Sequence, residues 1–319
     1  MHLTTLISRI ESTAPPYLAA SWDKCGVQVA AATSEIRTMC VALDPDVRSV
    51  RQAVEEKADI LLCHHPLSLS PRLPDRLDGF HEILRLSLTS DMWIYSAHTS
   101  LDANPDGPVN WLGRALALQG MRILEVSRRE TPLLFRLPHA ADRDKVRGLV
   151  PDMAPWGSGH GEYLIWPGQA QAFRDRLGPG SRCEEIPLSA PVRQYGFGCI
   201  GSLPQALAWA EFAARLNELL GPTPRMVGTR PERVATVAYC PGSGADMAPG
   251  AFAHGADVYL TGDLKYHQAQ AVQNLGLTVD VGHFCLEETM MRVWSEELAT
   301  ELAPHGVRVV FLPGRDPFA

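Results

Sequence analysis

Between residues 38 and 102, short runs of uniformly apolar residues alternate with stretches whose apolar side chains recur every three or four positions. "TMCVALD" (38–44), "DILLC" (59–63) and "MWIYSA" (92–97) read as strands buried on both faces. "DVRSVRQAVEEKA" (46–58), with Val47, Val50 and Val54 on one face, and "GFHEILRLSLTS" (79–90) read as helices. The same plan returns after residue 232: strand "RVATVAYC", a Gly-rich turn and helix over 242–256, strand "DVYLTG", helix "KYHQAQAVQNLG", strand "LTVDVG", long helix "FCLEETMMRVWSEELATELA" and final strand "VRVVFLP". Strand and helix in alternation imply βαβ units and largely parallel or mixed sheets covered by helices. Ahead of both, Leu3, Leu6, Ile7 and Ile10 mark a short helix ended by Pro15 and Pro16.

The two stretches share letters as well as plan. "KADILLCHH" resembles "GADVYLTGD", and the following strands end in "AHTSLD" and "GHFCLE", each a His, three residues, then an acid. An internally duplicated α/β unit explains both. Between the copies the pattern changes: "TPLLFRLPHAADRDKVRGLV", "PDMAPWGSGHGEYLIW" and "GQAQAFRDRLGPG" read as strand, helix, Gly/Pro-rich turn, strand and helix. The expected organisation is a first α/β half over 1–124, a small α+β insertion over 125–191, and a second α/β half over 192–319 that begins with the amphipathic helix "AWAEFAARLNELLG" closed by Gly221.

Composition narrows the function classes. A chain of 319 residues with 45% hydrophobic and 20% charged residues suits an ordinary globular protein of about two domains. A net charge of −7 without a Lys/Arg block leaves no footprint for nucleic acid or anionic membrane. No apolar run approaches the ~20 residues of a membrane span, and the start lacks a leader pattern, so the expected location is cytoplasmic. The seven cysteines are scattered and form no CxxC; several lie in apolar runs and read as reduced structural thiols.

Chemistry concentrates at the carboxyl ends of the expected strands, where open parallel α/β sheets bind ligands. "DILLC" ends at His64 and His65, "WIYSA" at His98 with Asp102 one turn on, "DVYLTG" at Asp263, and "LTVDVG" at His283 with Glu287 four residues on. The donor set is nitrogen and oxygen, which suits Zn²⁺, Mn²⁺, Fe²⁺ or Co²⁺ and excludes a Cys-type structural zinc. Pro66 favours an extended His65, and adjacent extended residues point apart, so His64 and His65 are expected on two neighbouring ions about 3.5–4 Å apart, with Glu287 or Asp102 bridging. Such a centre can activate water for hydrolysis; it can equally hold metal without catalysis. "GSGADM" lacks the Lys-Ser/Thr of a P-loop and the third glycine of a dinucleotide fingerprint, and no GxSxG elbow is present.

These residues carry a family resemblance. "SWDKCGVQVA", "ADILLCHHPLSL", "YSAHTSLDA" and "GADVYLTGDLKYHQAQAVQNLGLTVDVGHFCLE" resemble, in order, the WDNxGLQVG, ADLIVSHHPLIF, YAAHTNLD and GADxYITGDxxHHxALDA...DxGHxxxE stretches of the Nif-three-like dinuclear-metal proteins, the GTP cyclohydrolase I type 2 homologues of many bacteria. The resemblance implies metal ligands at His64, His65, Asp102, His283 and Glu287. His98, Asp263, His267 and Asp23 match further motif positions: His98, Asp263 and His267 are read as proton-shuttling or substrate-facing, with His98 also an extra ligand candidate through its repeat partner His283. It further implies two divalent ions per chain, a toroidal homo-hexamer acting on a small-molecule substrate, and a variable central insertion, here shortened. Ser100, Cys25, Val27, Ala30 and Leu286 depart from the family pattern while leaving the ligands intact.

Overall fold

The computed structural model describes residues 1–146, 161–221 and 225–318. In chain order the elements are α1 (Leu3–Thr13), β1 (Gly26–Val29), β2 (Thr38–Ala42), α2 (Val47–Glu55), β3 (Ile60–Cys63), α3 (Gly79–Thr89), β4 (Trp93–Ser96), α4 (Thr99–Asp102) and α5 (Trp111–Ala115). Then follow β5 (Gln119–Glu130), β6 (Leu133–Arg136), α6 (Ala140–Val146), β7 (Glu162–Ile165), α7 (Pro167–Leu177), β8 (Glu184–Pro187), β9 (Arg193–Ala208) and α8 (Trp209–Leu220). The chain continues with β10 (Arg225–Val227), β11 (Arg233–Tyr239), α9 (Ala248–Ala253), β12 (Val258–Thr261), α10 (Tyr266–Val272), β13 (Leu277–Asp280), α11 (His283–Leu302) and β14 (Arg308–Phe311). The expected α/β class is what is found. The tail of the helix read into 147–150 and the turn read at 151–160 lie outside the described residues.

Two compact units are distinguished: Met1–Glu125 with Gly196–Ala319, and Val126–Tyr195. Their boundaries fall inside the strands β5 and β9, which the hydropathy pattern does not reveal. β5 alternates apolar with charged side chains in "RILEVSRRE", and β9 carries three glycines and Pro204, which read as strand breakers. The second unit holds a three-stranded sheet in the order β7-β6-β8, antiparallel throughout, packed on its own apolar cluster around Phe135 and Phe173.

The first unit contains two sheets. One has the order β1-β4-β3-β2-β14, with β4, β3, β2 and β14 parallel and β1 antiparallel at the edge. The other has the order β10-β13-β12-β11-β9-β5, with β11, β12 and β13 parallel. β14 therefore leaves the second copy of the repeat and pairs with β2 of the first, Arg308 opposite Thr38.

Alternation along the parallel strands explains their unbroken hydrophobicity. Met39, Val41, Ile60 and Leu62 face one core cluster, while Cys40, Ala42, Leu61 and Cys63 face another beneath α2 and α3. In the second sheet Val258 and Leu260 join the first of these clusters, and Tyr259 turns to the side of α9. The shared cluster also takes Leu286, Met290, Trp294 and Leu298 of α11, so this helix contributes to a core common to both sheets. Asp46 and Asp78 start α2 and α3 by accepting the amides of Ser49 (2.7 Å) and His81 (3.1 Å). Among the described residues no helix is long and apolar enough to cross a membrane.

Trp294 is one of the largest fully buried side chains, at 1% exposure. Trp294→Ala is expected to cost about 3–5 kcal/mol of stability, read as a lowered urea midpoint with little change in slope. An unchanged midpoint would show that α11 does not anchor the shared core.

Candidate metal centre

Four loops at the carboxyl ends of parallel strands converge in the first unit. After β3, the amides of His64 and His65 both donate to the carbonyl of Leu43, at 3.1 and 3.0 Å. The pleat stops there, so consecutive side chains need not take opposite faces. The two imidazole rings lie 5.0 Å apart between centroids and enter the same cluster, which differs from the splayed pair expected of an extended dipeptide. His64 is fully buried and donates from Nδ1 to the carbonyl of Ala97 at 3.2 Å. His65 donates from Nδ1 to Asp44 at 2.7 Å, and its Nε2 lies 3.1 Å from Glu287 and 3.3 Å from His283 Nε2.

The repeat produces matching arrangements on the loops after β4 and β13. His98 caps α4 and places Asp102 one turn later; its Nδ1 donates to Asp23 at 2.9 Å. His283 opens α11 and places Glu287 one turn later; its Nδ1 donates to Asp263 at 2.7 Å and its Nε2 lies 2.8 Å from Glu287. A carboxylate on Nδ1 fixes the ring orientation and leaves Nε2 for the cluster. Asp23 is held in turn by the Thr99 amide (3.0 Å), the Thr99 hydroxyl and the Cys25 thiol (3.1 Å), while Asp263 accepts from the Ser243 hydroxyl at 2.6 Å. Asp263 adopts a φ of 57°, a left-handed conformation that Asp tolerates better than most residues.

Two groups of donor atoms result. Those of His64, His65 and His98 lie within 4.8 Å of one another, as do those of His65, His283 and Glu287. His65 thus belongs to both groups. Asp102 stands beside the first, its Oδ1 3.7 Å from His64 Nε2. His64 Nε2 and Asp102 Oδ1 are buried without a hydrogen-bond partner, an arrangement that costs stability unless something else satisfies them. Gly242, at φ 63°, completes a cradle: a Cβ there would stand 2.4 Å from Glu287 Oε1. Gly262 packs likewise, its Cβ position only 2.6 Å from the His283 amide nitrogen.

The electrostatics favour positive charge in this cluster. Burial opposes ionisation of Glu287, yet His64, His283 and His65 around it hold its carboxyl well below the usual range. His65 loses some basicity to burial but gains more from Asp44 and Glu287, which push it up to about 10. His283 is raised to about 9, first by its hydrogen bond to Glu287 and against the effect of burial. Burial pushes the Asp102 carboxyl up to about 6, with His64 acting in the opposite direction. Both raised histidines contribute stability in full below the free imidazole value of 6.5 and lose it as pH rises through about 9 to 10. The ion-free protein is therefore expected to melt at progressively lower temperature between pH 7 and 10. The His65→Ala/His283→Ala double variant, measured over the same range, should lose most of that slope; an equal slope in both proteins would remove these histidines as its source.

His267 sits exposed on α10, with Nδ1 paired to Gln270 at 3.2 Å, and the structure does not bring it to the donor groups. Sequence reasoning missed Asp44, the partner of His65. The signal was present: Asp44 ends the apolar run "VALD", the same strand-end position used to pick out the other residues.

The family model of Duf34/NIF3 (NGG1p interacting factor 3) matches residues 1–317. The chain belongs to the Duf34/NIF3 family. Among curated NIF3-type relatives, a "GTP cyclohydrolase 1 type 2 homolog" of Staphylococcus aureus (strain Mu50) is 23% identical over 330 aligned positions, covering 89% of each chain. One of the same name from Halalkalibacterium halodurans is 26% identical and covers 88% of this chain and 87% of its own. Among solved structures, a Bacillus cereus protein related to NIF3 superposes with a TM-score of 0.84 at 24% identity, covering 100% of this chain and 99% of its own. That likeness shows the NIF3 fold.

Proposed function

We propose that this cluster is a dinuclear divalent-metal centre and that the protein is a metal-dependent hydrolase of a small, nucleotide-like molecule, similar in activity to GTP cyclohydrolase I type 2. The observation that carries the reading is the pair of donor groups sharing His65, with the buried, unpartnered His64 Nε2 and Asp102 Oδ1 beside them. Imidazole nitrogen and carboxylate oxygen donors fit Zn²⁺, Mn²⁺, Fe²⁺ or Co²⁺. His64, His65, Asp102, His283 and Glu287 would hold the ions, with His98 as a sixth donor. When bound, such ions supply an acidified water and a Lewis acid for a carbonyl, imine or phosphoryl oxygen.

The chain's own side chains then orient and relay. Asp44, Asp23 and Asp263 fix the rings of His65, His98 and His283 through Nδ1. The Asp263 carboxylate, hydrogen-bonded by Ser243, is the group best placed to exchange a proton with the outer side of His283. The names of the curated relatives support the choice of reaction class, and the resemblance supports the hexamer as part of the same proposal.

The test is elemental analysis of protein purified without added metal, followed by assay of the loaded protein on GTP, cyclic amides and phosphoesters. About two ions per chain with turnover on one class is expected; two ions without any turnover would remove the hydrolase. That second outcome is the prediction of a non-catalytic metal-binding, storage or regulatory oligomer. One observation favours this alternative: the ionisable residues lining the pocket over the centre are His65, His98, Asp102, Cys240, His283 and Glu287, so apart from the buried Cys240 thiol all are themselves in the donor set.

A further inference from the structure

Two cavities open onto the centre, and both are lined by His65 and His283. The smaller, about 280 Å³, is walled by Asp44, Asp263, Asp280 and Asp316 with Arg225, whose guanidinium is paired to Asp280. The larger, about 590 Å³, is of different character: its walls include Trp22, Pro66, Leu69, Phe197, Pro241 and Met247, and the donor atoms form its floor. Among the described residues that line it, none is Lys or Arg. Trp22 is 58% exposed, and its ring meets the His98 ring edge-on at 5.8 Å between centroids. Leu69, 48% exposed, lines the same cavity.

We propose that the larger cavity takes an uncharged, flat heterocycle, stacked on Trp22 and directing a ring carbonyl or ring nitrogen at the donor-lined floor. The inference rests on the metal-centre reading and narrows its substrate from a nucleotide-like molecule to an uncharged nucleoside or base. The volume falls within the range for a small organic ligand the size of a nucleoside, which would bury most of its surface there. An aromatic wall held at one edge by His98 provides a stacking face that is indifferent to ring identity. A polyphosphate tail, by contrast, needs Arg, Lys or free hydroxyl donors along the wall; away from the donor-lined floor the wall is apolar but for Thr99 and Ser243, whose hydroxyls already donate to Asp23 and Asp263. The heterocycle therefore enters without such a tail, and the reaction at the floor concerns the ring.

The probes are guanosine, GTP and the non-aromatic lactam 2-piperidone, titrated calorimetrically into the full-length protein loaded with Zn²⁺, with metal content measured on the same samples. Guanosine is expected to bind, GTP to bind no tighter than guanosine, and 2-piperidone to bind at least tenfold more weakly. Trp22→Ala should weaken guanosine about tenfold or more, Trp22→Phe by no more than about threefold, and neither should change metal content. Unaltered guanosine affinity in Trp22→Ala with two ions still bound would overturn the stacking proposal and leave the metal reading standing. Tighter binding of GTP, abolished by inorganic triphosphate, would overturn the uncharged class. Guanosine binding that depends on Trp22 in protein that takes up no metal would keep the cavity and remove the metal reading instead.

Discussion

Glu287→Ala is expected to abolish the metal binding proposed for the cluster and to destabilise the metal-free protein by about 3–5 kcal/mol, because it leaves buried histidines without their shared counter-charge. Glu287 is 3% exposed and lies 2.8 Å from His283, 3.1 Å from His65 and 3.6 Å from His64. Among the described residues no other acid touches all three. With the carboxylate gone, His65 and His283 should fall from about 10 and about 9 towards the free imidazole value, which proton NMR of the ring hydrogens reports directly. Part of the lost stability returns above that value as the rings become neutral, so the deficit should be greatest at acid pH. Equal metal content and unshifted histidines in the variant would dismiss Glu287 as the hub of the cluster.

Gly242→Ala is expected to damage the same carboxylate from the backbone side. Its φ of 63° lies in the left-handed region, costing an L-residue about 1–2 kcal/mol, and the new Cβ would sit 2.4 Å from Glu287 Oε1. The carboxylate must swing away, so metal affinity should drop by at least tenfold while the far-UV spectrum stays native. Gly250→Ala is the control: it lies within α9, where an added Cβ meets nothing within 4 Å, and should stabilise by up to about 1 kcal/mol without changing metal content. Equal behaviour of the two variants would show that Glu287 tolerates a displaced carboxylate.

Much of the fold was legible because the parallel strands are buried on both faces. Uniform runs such as "ILLC" and "VYLT" leave little else to be read, and the helices between them repeat every three or four residues. Strands that face solvent on one side were not legible: β5 is mostly exposed or half-buried, and β9 hides behind its glycines and proline. The convergence of His64, His65, His98 and Asp102 with His283 and Glu287 was legible from one rule, that ligands gather at the carboxyl ends of parallel strands. What the rule does not contain is how a strand ends. Two amides sharing the Leu43 carbonyl turn a dipeptide expected to splay into a pair aimed at one cluster, and no side-chain pattern announces that hydrogen bond. Nor does motif position separate His283, which reaches the cluster, from His267, whose helix carries it to the surface.

The placement of β14 bears on how the protein is made. α11 carries His283 and Glu287, and the strand that follows it closes the sheet that carries His64 and His65. On the ribosome, β2 emerges well before β14, and its outer edge waits unpaired until β14 has been synthesised. A chain that has not yet added β14 therefore exposes an open edge on the sheet whose loop carries His64 and His65.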